Sequence, residues 1–243
     1  MTTRKLLMKK NKITFATNVK GLLEHKELHP QPAKNFTPDW YKKMPTDVKK
    51  PNTFHSKIIP NIKTIRMCPS FVDVFKEGYV IPAPCDIYLK VLPNGEWQWQ
   101  TPDEEYRLDI HEEEQFLNHL NGVSNIKKVF KLISPWVAIT PKGWSVRQIP
   151  MIYNFNPNWQ VAYGILNTDV EHELNQQIFF TSSNNEVLIK RGEPLNYLVP
   201  FKRNDKLQIE VTGYTSEVTK YVNKAQRLVN SSFKASIPYY RNS

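Results

Sequence analysis

A chain of 243 residues, 40% hydrophobic and 23% charged, is long enough to bury a core without a disulfide or a metal to staple it. Eighteen prolines against eight glycines favour strand ends and extended connections over long helices. Cys68 and Cys85 form no Cys-x-x-Cys pair. No charged-then-apolar leader opens the chain and no apolar run reaches membrane-spanning length, so the expectation is a reduced, cytosolic protein without a membrane partner.

The formal net charge of +10 is unevenly placed. Residues 1–66 hold fifteen Lys or Arg and four Asp or Glu, whereas the remaining 177 residues hold eighteen and nineteen. Residues 1–56 are expected to form a basic, Pro-containing N-terminal arm, suited to nucleic acid or another acidic surface. A solubilising tail accounts for the same charge. Aromatics are sparse among these lysines, so no stacking platform for single strands is indicated.

Within the arm, Thr37-Pro38-Asp39-Trp40-Tyr41-Lys42-Lys43-Met44-Pro45 predicts one short helical turn. Thr37 would cap it, Pro38 would start it and Pro45 would stop it. Trp40 and Met44, four apart, would share its docking face. A second short helix is predicted from Pro69, with Phe71, Val72 and Phe75 as its apolar stripe and Gly78 as its left-handed stop.

Residues 85–91 and 96–100 alternate in polarity around Pro93-Asn94-Gly95, a hairpin signal, with Trp97 and Trp99 on one face. Residues 103–114 hold seven acids and one Arg. Their second half predicts a helix, with Asp109 and Glu112 as a capping pair and Gly122 as the end. The acids are suited to pairing with the basic arm.

From residue 123 onward the pattern predicts strands near 126–133, 136–140, 144–149, 151–155, 159–166, 176–181, 186–190, 195–201 and 206–212. Pro, Gly and Asn clusters separate them. The fold class expected is mainly β, a jelly-roll, barrel or sandwich spanning 57–212, with a short acidic helical insertion near 103–122. A basic amphipathic helix near 216–234 and a tail, within 213–243, follow it. Lys220, Lys224, Arg227 and Lys234 share one face of that helix, which suits solvent or an anionic partner.

Three stretches resemble the trimeric dUTPase and dCTP deaminase superfamily. They are Gly164-Ile165-Leu166-Asn167-Thr168-Asp169-Val170, Ile189-Lys190-Arg191-Gly192-Glu193-Pro194-Leu195, and Ile139-Thr140-Pro141-Lys142-Gly143-Trp144. The resemblance implies a β-clip-like fold and a nucleotide site drawing on Lys142, Asn167, Asp169 and Arg191. The departures fall on the chemistry. The water-activating Asp of the family is Asn167, and a carboxamide cannot take that proton. The sugar-stacking Tyr is Val170, and the phosphate loop Arg-Ser-Gly is Lys142-Gly143-Trp144. Residues 234–243 hold no Gly, so a Gly-rich phosphate lid is not expected. The resemblance therefore implies the fold more than the activity.

The chain also resembles an uncharacterised protein family of tailed phages of marine cyanobacteria and of some bacteria. The segment 36–45, Cys68-Pro69-Ser70-Phe71, Gly78-Tyr79-Val80-Ile81-Pro82 and Gly164-Ile165-Leu166-Asn167 carry that likeness. His111-x-Glu113 with a distant His172 superficially matches the triad of iron oxygenases, but Glu171-His172-Glu173 in a strand would separate its ligands. No phosphate-loop, dinucleotide, zinc-protease or nucleophile-elbow motif is present.

The expectation is a non-enzymatic, phage-type structural or interaction protein without cofactor, metal or catalytic residue. It would be homo-oligomeric or bound to a protein partner, in the host cytoplasm or the virion, with nucleic acid a further partner of the arm. A dUTPase-like nucleotide-binding or nucleotide-hydrolysing protein is one alternative, and a cupin-type metal-dependent oxygenase another.

Overall fold

The computed structural model describes residues 12–49, 61–102, 104–120, 124–204 and 207–230, with side chains to 224 in the last helix. The sixteen strands among them are β1 (Thr14–Ala16), β2 (Gln31–Pro32), β3 (Asp47–Lys49), β4 (Asn61–Lys63), β5 (Tyr79–Pro82), β6 (Ile87–Val91), β7 (Trp97–Gln100), β8 (Leu108–Ile110), β9 (Lys128–Leu132), β10 (Val137–Ile139), β11 (Trp144–Pro150), β12 (Trp159–Val161), β13 (Gly164–Leu166), β14 (Gln176–Phe180), β15 (Glu186–Ile189) and β16 (Pro194–Lys202). Three α-helices accompany them: α1 (Asp39–Lys43), α2 (Pro69–Val74) and α3 (Ser216–Asn230). The protein is mainly β, and no described sheet closes into a barrel.

Contacts divide the chain into two units. One holds the described parts of Met1–Pro38 and Phe75–Asn204, the other those of Asp39–Val74 and Asp205–Ser243. The divisions fall at 38/39, 74/75 and 204/205, where composition suggested boundaries near 56 and 212.

The first unit is a sandwich built on period-two burial. In β6, Ile87, Leu89 and Val91 are buried while Tyr88 and Lys90 are half-buried. They belong to the sheet β15-β6-β7 and face Phe130, Leu132, Ile178 and Phe180 of the sheet β12-β14-β9-β8 across one core. Trp97 and Phe180 both meet the Phe130 ring edge-on, with centroids 5.8 Å apart in each pair. The β6–β7 hairpin forms as its sequence predicts, closed by Leu92 N to Glu96 O at 2.7 Å.

The third sheet, in the order β13-β11-β16-β5-β2, packs a hydrophobic cluster against each of its faces. Ile81, Val146 and Leu198 face a core shared with Trp136, Ala138, Leu22 and Leu28. Val80 and Tyr197 face the other way, against Ala33 and Phe36.

The described part of the N-terminal segment is therefore no free arm. β1 pairs with β10, and β2 pairs with β5. Two 3-10 turns, Leu22–Glu24 and Lys26–Leu28, bury Leu22 and Leu28 to 2% exposure. Residues 1–11 and 50–60, which carry much of its charge, lie outside the described residues.

Other expectations are corrected by pairing and strain. Leu108–Ile110 is a strand on β9, not a helix start, and the acids after it form two 3-10 turns, Glu113–Gln115 and Leu117–His119. The capping box is Glu112 with Gln115 rather than Asp109 with Glu112. Glu113 pairs with Lys128 at 3.3 Å, not with the basic segment. Residues 151–155 form no strand: Tyr153 and Phe155 adopt left-handed φ values of 58° and 53°. Residues 159–166 divide into β12 and β13, which join different sheets.

In the second unit β3 and β4 pair, fastened by Lys63 to Asp47 at 2.6 Å. Arg66 donates to Met44 O at 2.6 Å, and Thr64 to Pro45 O at 2.6 Å. In α1 the buried residue is Tyr41, whose hydroxyl donates to Arg66 O, whereas Trp40 is 36% exposed. Residues 207–213 are exposed and form no strand, and α3 starts at Ser216 as predicted. No described helix is long and apolar enough to cross a membrane.

Gly78 adopts φ +69° where β5 begins, and a Cβ placed there would collide with the Leu198 carbonyl oxygen. Gly78→Ala is expected to cost about 2 kcal/mol or more, measured by chemical denaturation.

Candidate functional site

Antiparallel pairing of β11 with both β13 and β16 gathers three distant segments. Val146 lies opposite Leu166 and Trp144 opposite Lys202. Ser145 therefore meets Asn167, and Arg203 meets the 140–144 loop. At that junction Arg203 grips Asp169 with both nitrogens, at 2.7 and 2.6 Å. The same guanidinium donates to Ser145 Oγ at 2.7 Å and to Trp144 O at 3.0 Å.

The loop closes over the pair. Gly143 N donates to Asp169 Oδ2 at 2.8 Å, and Arg203 N donates to Gly143 O at 2.9 Å. Gly143 adopts φ +86°, which aims both its amide groups at the clamp without steric cost. Ser145 Oγ donates to Asn167 Oδ1 at 2.8 Å. The Thr140 and Thr168 hydroxyls, buried at 3% and 0% exposure, meet at 2.8 Å. Every polar group named here has a partner, which is the condition for burying such a network.

The Asp169 side chain is 3% exposed and that of Arg203 32%. Hydrogen bonds from Arg203, and after them the Gly143 amide, outweigh burial and hold the Asp169 carboxyl down at about 2. Asp169 in turn holds the Arg203 guanidinium more firmly protonated.

Of the four residues expected to bind nucleotide, three meet at this junction. Lys142 is exposed on the loop, Asn167 has its amide oxygen occupied by Ser145, and Asp169 has both oxygens engaged. Arg191 lies elsewhere. Its amide donates to Asp86 Oδ1 at 2.7 Å and its guanidinium holds Glu27 at 3.0 Å. The cation at the junction is Arg203, which sequence reasoning missed. Its role depends on the β11–β16 register across more than fifty residues of chain, which no local pattern encodes.

His111 and His172, considered for a metal, do not converge with each other or with His119. His172 Nδ1 is 2.8 Å from Thr168 O, and His119 Nε2 is 3.0 Å from Glu114 O. His111 pairs through its backbone with Val129. Among the described residues no three His, Cys, Asp or Glu side chains form a group able to hold a metal. Both cysteines are free thiols.

No protein-family model matches the chain, and no curated protein sequence matches it. Among solved structures, a mutant dUTPase of Staphylococcus bacteriophage 80alpha aligns over 85% of this chain and 100% of its own length. The identity is 8% and the TM-score 0.39, a likeness that decides neither topology nor chemistry.

Asp169→Asn is expected to destabilise the first unit by roughly 2 kcal/mol or more, because Arg203 keeps its charge and loses its partner. An unfolded Asp titrates near 3.9 and this one near 2, so the folded form releases its proton first. The contribution is complete above about pH 4 and is lost as pH falls through about 2. Acid unfolding of the wild type should show this component, and that of Asp169→Asn should lack it.

Proposed function

We propose that the protein works by association rather than catalysis, as a non-enzymatic interaction or structural protein that pairs with a second copy of itself. The observation that carries this reading is the segment after β16. Leu207, Ile209 and Val211 are 95%, 92% and 93% exposed, an alternating strand pattern with no strand partner among the described residues. Such a row is costly to leave in water and is suited to adding to a sheet edge.

A receptive edge supports the reading. β13 lies at the end of its sheet, and its sequence Gly-Ile-Leu has no charge to guard it. Ile165 is 63% exposed there, between Tyr163 at 79% and Val170 at 76%. The opposite case is β15, also an edge, which is bounded by Glu186 and Lys190. The closed Asp169–Arg203 pair argues in the same direction, since it leaves no carboxylate at the junction ready to accept a proton.

The phage-type setting and a nucleic-acid partner for the basic N-terminal residues belong to this proposal and rest on sequence alone. The nucleotide-binding reading keeps one supporting observation, the convergence of Lys142, Asn167 and Asp169. Its test is Lys142→Ala: a nucleotide site loses affinity for deoxynucleotides, whereas the association reading expects no nucleotide-induced thermal shift in either form.

Sedimentation of the wild type and of Ile209→Asp/Val211→Asp tests the association itself. The wild type is expected to sediment as an oligomer, and the double variant as a monomer with a thermal transition changed by only a few degrees. A monomeric wild type, or an oligomer indifferent to the substitutions and to Ile165→Lys, would overturn it.

A further inference from the structure

A second feature of the first unit is a cavity of about 630 Å³ that the Asp169 junction does not use. Its volume falls in the range of small-molecule sites. Its deep residues are apolar: Leu22 and Leu28, each 2% exposed, with Pro84 and the half-buried Tyr106 beside them. Its exposed rim carries Lys20, His25 and Arg191. Among the described residues the acid in its lining is Asp86, which already accepts the Arg191 backbone N–H at 2.7 Å.

Two of the rim groups, Arg191 and His25, are held in place by an anion of the protein's own. One oxygen of Glu27 lies 3.0 Å from the Arg191 guanidinium and 3.3 Å from His25 Nδ1. Glu27 is 59% exposed, and an exposed ion pair of this kind contributes little to stability. Exchanging that carboxylate for another anion therefore costs the fold little, while the Arg191 guanidinium and the His25 ring stay aimed at one point.

We propose that this cavity binds a small organic anion: a carboxylate or phosphate head that replaces Glu27 between Arg191 and His25, on a ring-sized apolar body lodged against Leu22, Leu28 and Tyr106. Arg191 supplies a fork that takes either head in two hydrogen bonds, and Lys20 adds a mobile charge at the mouth. The apolar walls supply the affinity that an exposed charge pair alone lacks. Glu27 acts as a built-in competitor for the site.

The test is a titration of the full chain with phenyl phosphate, with phenylacetate, and with neutral benzyl alcohol, followed by carbon–proton spectra of the Leu22 and Leu28 methyls and the Tyr106 ring. Either anion is expected to shift these signals and to bind about tenfold or more tightly than the alcohol. Arg191→Gln should weaken the anion about tenfold, and Glu27→Gln should strengthen it. Thermal melts establish that each variant is folded. Lys20→Gln, at an exposed position, gives the same reading in weaker form where Arg191→Gln does not fold. Silence of these signals with both anions, equal binding of the alcohol, or affinities indifferent to both cation substitutions overturns the proposal.

Discussion

β16 is nine residues long and hydrogen-bonded on both sides, by β11 and by β5, so its side chains have only two faces on which to leave the sheet. Leu195 enters the sandwich core, Leu198 the core around Trp136, and Tyr197 the cluster beside Ala33. A register shift between Pro194 and Asn196 makes this possible, since strict alternation would send Leu195 and Tyr197 into the same layer. Three hydrophobic clusters thus share one strand. Its far end delivers Arg203 to the Asp169 clamp, and its start follows the turn that carries Arg191. Both candidate sites are therefore anchored to the same rigid element, one at each end.

The two sites differ in what their charges have left to give. At the junction, Asp169 is saturated by Arg203 and Gly143, and the Asn167 amide oxygen is occupied by Ser145. Desolvated charges bound in this way hold a loop in position rather than take up protons. At the cavity, the charges face water and are tied by one exposed carboxylate. The stretches that resemble a nucleotide hydrolase in sequence reach the junction, where Asp169 is already paired with Arg203. They do not reach the cavity through any motif other than Arg191, which was expected beside Lys142 and is found among Lys20, His25 and Glu27.

Local signals were legible where the chain meets its own neighbours. Pro93-Asn94-Gly95 fixes a hairpin whose strands adjoin, Pro69 starts α2, and Gly78 takes the left-handed turn. Signals failed where a distant partner outweighed local preference. Leu108 and Ile110 sit before a run of glutamates that favours a helix start, yet β9 offers them a strand to pair with, and pairing prevails. Residues 151–155 have strand-forming composition, but Tyr153 and Phe155 turn left-handed while Met151 and Ile152 pack on the cluster around Tyr197. Leu207, Ile209 and Val211 keep the alternation of a strand without a described neighbour to complete it. Of the candidate site, the loop and Asp169 were legible as motifs. Arg203 was not, because its position opposite Gly143 exists only once β11 and β16 are in register.

The place of β16 in the chain bears on how the protein is made. Each of the three clusters lacks a residue until synthesis has passed position 198, and the clamp lacks its cation until position 203. A growing chain therefore exposes β5, β6, β9 and β11 with their apolar faces unmatched for most of the time it is being extended. The early hairpin of β6 and β7 is local and can form at once, but the sheet that joins β2 and β5 to β16 has high contact order and must wait. Folding of this unit therefore waits for β16, and until that strand arrives the earlier ones present unpaired edges on which copies of the chain can associate.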